Sequence, residues 1–185
     1  MMQFPPELEA ALLGRQVIFL RGRLDDATAN QVMAQLLLMG RTAAGRTIEL
    51  YIDSPGGSVG AALALHDVMR TLGTPVSTTC VGTAGGAAVL VLAAGARGRR
   101  FALPHARVHL ADESVEVPSG KAEDVAGQAA AAAGLGARWR AALLQLAALD
   151  AEALDRELAA GRWLSADEAR EMGLVDEVVS TAKRA

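Results

Sequence analysis

The stretch Pro75–Gly95, PVSTTCVGTAGGAAVLVLAAG, decides how the chain is read. Its first part, PVSTTCV, carries the β-branched residues Val76, Thr78, Thr79 and Val81 that suit a strand. Its last part is an apolar run closed by Gly95, which suits a short buried helix. Between them, Gly82–Ala88 reads GTAGGAA, and such a row of small residues predicts a tight strand-to-helix turn. Turns of this kind are where many hydrolytic enzymes hold a nucleophile. Here no hydroxyl or thiol follows Thr83. The stretch is either a catalytic elbow without its chemistry or a plain turn.

Working outward, Gln16–Leu24, QVIFLRGRL, has the content of a buried strand. Asp25–Gly40 then reads as a helix, with Asp25 or Asp26 at its cap. Val32, Leu36 and Met39 lie at helical spacing, and Gly40 is the expected stop. Arg46–Asp53 alternates Ile48, Leu50 and Ile52 on one face of a strand. Ser54–Ser58, SPGGS, breaks it, and the next helix carries Leu65, Val68, Met69 and Leu72 before stopping near Gly73. Arg99–Leu103 and Ala106–Ala111 read as two further short strands. Strand and helix in alternation predict an α/β fold of βαβ units with a mostly parallel sheet.

A different texture follows. Pro118–Asp150 is Ala-rich and helical by content, with Ser119 as its cap. Gly127, Gly134 and Gly136 each cost roughly 1 kcal/mol there relative to Ala. The expectation is a long helix over about residues 119–150, projecting from the sheet domain, with small-residue packing and a softened middle. Leu164–Val179 places Ser165 and Glu168 in capping-box spacing, stops its helix at Gly173 and ends in a short strand. No repeat or linker divides residues 1–185, so one domain is expected, with residues 1–13 a short N-terminal segment.

Composition narrows the function classes. The 185 residues are 51% hydrophobic but only 3% aromatic, so the core is aliphatic and closely packed. A net charge of −3 gives no electrostatic case for nucleic acid or an anionic membrane. Cys80 is the single cysteine, which excludes an internal disulfide and fits a reducing compartment. The first fifteen residues lack a basic stretch followed by a sustained apolar run, so no signal peptide is read. The longest apolar run, Ala87–Ala94, is far short of a membrane span. A cytoplasmic protein without metal or cofactor is the expectation.

Four stretches together carry a resemblance: Gly14–Leu37, Leu50–Val59 (LYIDSPGGSV), Ser77–Val108 and Trp163–Val179. They resemble, in order, the ClpP family, the proteolytic subunit of the Clp protease, from about Gly14 to Val179. The SPGGSV turn, the AGARGRRFALP run and the GLVD ending are specific as a set. The resemblance implies the crotonase-like ClpP fold, with a head domain and a helical handle. It also implies heptameric rings stacked in pairs, and an AAA+ unfoldase as partner.

The family is a serine protease, whose triad needs a hydroxyl, an imidazole and an orienting carboxylate. Matching its Gly-x-Ala-Ser/Ala-Ser-Met-Gly/Ala turn to GTAGGAA places Gly86 at the serine. Counting from Leu103-Pro104 places Ala111 at the histidine, and counting back from Trp163 places Glu157 at the acid. Nucleophile and base are thus absent. His109 shares a strand face with Ala111 but lies about 7 Å away along it, too far for proton transfer. His66 and His105 read as surface or packing residues, Ser58 as a helix cap, Thr83 as structural and Cys80 as a buried, inert thiol.

The resemblance leaves the oxyanion-hole positions, Gly57 and Ala87, in place, because backbone amides serve there. Such a cleft would bind an extended peptide by strand pairing without cutting it. Tyr51, Phe101 and Leu103 match positions near the family's unfoldase-docking pocket, and are otherwise ordinary sheet-core residues. Thr71 replaces an aromatic there. Asp112–Val117, DESVEV, replaces a glycine-bearing segment beside the cleft, and the segment before GRQVIFL is shorter than the family's axial gate. The favoured reading is a non-catalytic, ClpR-like subunit, alone or beside an active ClpP paralogue. The alternatives are a crotonase-like enzyme binding an acyl-CoA, with Glu157 as base, and a serine peptidase active only after co-assembly.

Overall fold

The computed structural model describes residues 5–42, 45–112 and 122–179. Three parallel strands form its centre: β1 (Val17–Arg21), β2 (Ile48–Ser54) and β3 (Val76–Gly85). Helices α2 (Asp26–Thr42) and α3 (Val59–Thr71) make the crossovers between them, as parallel pairing requires. β3 is long enough to serve two neighbours. Thr78–Cys80 pair with β4 (Arg100–Ala102), and Thr83–Gly85 pair with β5 (Arg107–Leu110), both parallel. β6 (Arg162–Ser165) adds to β5 antiparallel, and β7 (Glu177–Val178) adds to β4. The remaining helices are α1 (Pro6–Gly14), α4 (Ala87–Ala93), α5 (Ala122–Leu146), α6 (Ala151–Ala160) and α7 (Ala166–Glu171).

Alternation along the strands separates two faces. Ile18, Leu50, Thr78 and Arg100 form one cross-strand row, and Leu20, Ile52, Cys80 and Ala102 the next. Both rows are buried against the helices. The intervening row, Phe19, Tyr51, Thr79 and Phe101, lies half-buried on the opposite face. Helix α4 is buried at every residue, which explains why its sequence is apolar on all sides. Cys80 is fully buried, and that burial pushes its thiol up to about 12.

Arg100 ties the layers together. Its side chain is only 3% exposed. Nε and Nη2 donate to the two carboxylate oxygens of Asp176 at 3.0 and 2.6 Å. Nη1 donates to the carbonyls of Gly173 at 2.8 Å, Leu146 at 3.3 Å and Ala93 at 3.4 Å. Those carbonyls lie at the C-terminal ends of α7, α5 and α4, where a cation is favoured by the helix dipoles. The backbones of Arg100 and Asp176 are also joined, Asp176 N donating to Arg100 O at 2.7 Å. Partial burial pushes the Asp176 carboxyl up, but the hydrogen bonds and charge of Arg100 outweigh it and hold the group below its ordinary 3.8. Two of the stretches that carry the family resemblance, GRRFALP and GLVD, are thus the two halves of one ion pair.

Several expectations change in detail. The N-terminal segment contains a helix, α1, started by Pro6 in its first turn, and its Glu9 accepts the side-chain amides of Gln31 and Gln35. α2 runs past Gly40 to Thr42, because that glycine admits Leu72: a Cβ there would lie 2.5 Å from its Cδ2. The long helix, α5, ends at Leu146, and beyond it Asp150 caps a separate α6 through Ala153 N at 2.7 Å. Gly127, Gly134 and Gly136 do not mark close packing, since a Cβ at any of them meets nothing within 4 Å. The caps at Asp25, Ser58 and Ser165 form as read. Ser119 and residues 113–117 of the DESVEV segment lie outside the described residues.

Removing Asp176 strands a buried guanidinium. D176A is expected to lose about 3–5 kcal/mol of unfolding free energy in urea titrations. The folded carboxyl titrates below 3.8, so the pair's contribution is complete above that pH and is lost as the pH falls through the folded value. Between pH 5 and the acid transition, D176A should therefore show the smaller decline. Cys80 should react with a thiol reagent at the rate of global unfolding and more than about 100-fold slower than a free thiol, checked by following labelling with and without urea.

Candidate active site

The row of small residues is not one turn. β3 continues as strand through Gly85, α4 begins at Ala87, and Gly86 alone makes the junction. Its backbone sits at φ 44°, ψ −120°, a region that strains any residue bearing a side chain. The elbow is fixed from a neighbouring strand, since Gly86 N donates to His109 O at 2.9 Å. A residue at position 86 therefore stands at the end of the central strand, ahead of a buried helix.

β5 carries the next position. Ala111 follows the strand, on the same face as His109 and half-buried. The β5–β6 ladder pairs His109 with Trp163 and Leu110 with Arg162. β6 begins at Arg162, so Ala111 and Gly161 both lie just past the last pair of that ladder. Gly161 caps α6 in the left-handed conformation, φ 59° and ψ 47°. Just beyond Ala111, Asp112 N donates to Leu158 O at 3.2 Å. The backbone thus gathers the elbow, the end of β5 and the end of α6 into one place.

Glu157 lies on α6 and is engaged elsewhere. Arg162 Nη1 donates to its carboxylate at 3.2 Å, while Arg162 Nη2 donates to Glu168 at 2.6 Å. Glu168 also closes the capping box, accepting Ser165 N at 2.8 Å and Ser165 Oγ at 2.9 Å. Those Ser165 bonds, with the Arg162 guanidinium, hold the Glu168 carboxyl down at about 2. In return, Glu168 and then Glu157 raise the Arg162 guanidinium above its ordinary value.

The loop between β2 and α3 forms the other wall. Leu24 brackets it, its N donating to Gly56 O at 2.9 Å and its O accepting Ser58 N at 2.7 Å. Inside the loop, Gly56 N donates to Ser54 Oγ at 3.2 Å. Gly57 has φ 146°, and a side chain there would run into Leu24 O. The pairing of Ser54 with Ala84 carries this loop alongside the elbow. Ala87 opens α4 on the far side, fully buried, its carbonyl accepting Trp139 Nε1 at 3.4 Å. Ala87 thus follows Gly86 directly, and Gly57 sits on the loop that reaches the elbow through Ser54 and Pro55.

The other candidates find ordinary partners. His109 Nε2 lies 3.2 Å from Gly161 O, and its ring stacks on Trp163 at 4.4 Å. His66 Nδ1 contacts the adjacent Asp67 at 3.0 Å, and His105 is exposed. Ser58 caps α3, accepting Ala61 N. Thr83 N donates to Asp53 Oδ1 at 3.0 Å. Among the described residues, no three His, Cys, Asp or Glu side chains are grouped to hold a metal, and no helix is long and apolar enough to cross a membrane.

Tyr51 and Phe101 are half-buried in the row on the sheet face opposite the helices, and half-buried Leu103, just past β4, packs against the core. Phe19 stacks on Tyr51 at 5.3 Å, and Tyr51 Oη donates to Glu49 Oε2 at 2.9 Å. Sequence reading missed Phe19 as part of this surface. The alternation of Val17–Arg21 would have found it, since Phe19 falls between buried Ile18 and Leu20. Gly161 was not singled out either, since its contact with His109 depends on β6, a strand of only four residues.

Comparison with known proteins identifies the family. The family described as Clp protease matches residues 7–182. The ATP-dependent Clp protease proteolytic subunit 1 of Corynebacterium jeikeium is 37% identical over 172 residues, 93% of this chain and 91% of its own length. Proteolytic subunit 2 of Corynebacterium glutamicum is also 37% identical, over 93% of this chain and 85% of its own. A Clp protease proteolytic subunit-like protein of Streptomyces coelicolor is 41% identical, over 91% and 80%. Matched from α1 to beyond β7, through the elbow, the SPGGSV loop and the Arg100–Asp176 pair, this chain belongs to the Clp protease family.

Proposed function

We propose that the chain is a non-catalytic subunit of a Clp protease complex, kept for the shape it gives a ring. The observation that carries this reading is Gly86. The residue at the elbow holds a nucleophile's backbone conformation and offers no atom to attack a carbonyl. Ala111 likewise offers no base. We assign the acid position to Gly161, one residue beyond the Leu110–Arg162 pair that ends the β5–β6 ladder, in place of Glu157, whose carboxylate is bound to Arg162. All three triad positions then lack a functional side chain. Without a triad, an oxyanion hole and binding leave about 10³–10⁴-fold catalysis over water, negligible for peptide hydrolysis.

On this reading the chain forms or joins a heptameric ring, with itself or with an active paralogue, and stacks on a second ring. Its role is to complete the chamber, set subunit ratios or bias partner docking. Phe19, Tyr51, Phe101 and Leu103 supply an aromatic and aliphatic outer face on which an AAA+ unfoldase would dock. The complex operates in the cytoplasm and needs no cofactor.

Purified alone, the chain should show no cleavage of a fluorogenic peptide above the buffer rate. Native mass spectrometry with the organism's active ClpP should show mixed rings; a monomer that ignores that partner would remove the ring-subunit reading. Robust cleavage abolished by S58A would remove the non-catalytic one. Thermal stabilisation by acyl-CoAs but not by peptides would favour the enolate-stabilising alternative. The acid assignment has its own test, the variant G86S/A111H/G161D. Reverting residue 161 to Gly in that background should cost about 10³–10⁴-fold in kcat. Adding E157Q should change it less than twofold.

A further inference from the structure

We infer that residue 85 sets the width of the cleft between the elbow and the β2–α3 loop, and that glycine there holds the cleft too narrow for an extended peptide. This rests on reading the cleft as a vacated protease site. A Cβ placed on Gly85 would lie 2.5 Å from Pro55 O, 3.0 Å from Pro55 C and 3.3 Å from Pro55 Cα. All three are backbone atoms, so no rotamer change relieves the clash. A side chain at position 85 would push loop and strand apart by about 0.9 Å before the ordinary contact distance of 3.4 Å is reached.

Neither wall is free to turn aside. Leu24 holds the loop through Gly56 O and Ser58 N, and Ser54 Oγ holds Gly56 N. His109 O holds the elbow through Gly86 N. Residue 85 is therefore a shim between two clamped segments, one carrying Gly57 and the other Ala87. A peptide carbonyl would have to enter between those segments, and displacements near 1 Å in such a site cost about 100-fold in function. Glycine at position 86 removes the chemistry; glycine at position 85 supplies a separate, steric closure.

The test compares the full-length chain with G85A, using fluorescence anisotropy of a fluorescein-labelled, unstructured decapeptide rich in Leu and Ala. G85A is expected to bind it at least tenfold more tightly than the natural chain. Equal affinities, or tighter binding by the natural chain, overturn the inference. Should G85A not fold, a crystal structure of the natural chain decides. Pro55 O packed against Gly85 supports the inference, and a gap wide enough for a methyl group overturns it. Cleavage by the natural chain would sink the non-catalytic reading and leave this one standing, the same comparison then being read in kcat.

Discussion

A single guanidinium organises this molecule. Arg100 brings one positive charge to the C-terminal carbonyls of three helices and to the carboxylate of Asp176. Burying such a charge alone would cost several kcal/mol. Here the fork of Arg100 satisfies the carbonyls that α4, α5 and α7 would otherwise leave without donors. The pair also joins β4 to the turn before β7, so the end of the chain is fastened to its middle. Because α4 starts at the elbow and ends at Arg100, the orientation of the cleft depends on an interaction at the opposite end of that helix.

The cleft itself is held by backbone. Gly86 N on His109 O, Asp112 N on Leu158 O and the Leu24 bridge to Gly56 and Ser58 need no triad side chain. Scaffold and chemistry are therefore separable in this fold. Hydroxyl, imidazole and carboxylate can be absent without loosening the strands that would present them. No buried polar side-chain atom among the described residues is left unpaired, so the strands carry no polar debt at the cleft.

What was legible in the sequence followed from local physics. The strands β1, β2 and β3 announce themselves through Ile18, Leu50 and Val76, and the helices through caps at Asp25, Ser58 and Ser165. The elbow was legible as a place but not as a conformation: seven small residues suggested one tight turn, whereas strand pairing holds Thr83–Gly85 and leaves the reversal to Gly86. Gly40 misled, because a glycine admitting Leu72 looks like a glycine ending a helix. Gly161 stayed hidden for a different reason. Its carbonyl meets His109 beside the β5–β6 ladder, a non-local contact that the residues around it do not announce.

The replacements at the elbow also have a stability logic. A side chain at φ 44°, ψ −120° is strained by about 1–3 kcal/mol, a cost that an enzyme bears to aim its nucleophile. Glycine adopts that conformation without the steric penalty, and at position 85 it lets Pro55 settle onto the strand. Once a subunit is retained for the surfaces it presents and not for cleavage, nothing opposes either change. Relief of strain at Gly86 and the close seating of Pro55 on Gly85 both favour the folded state.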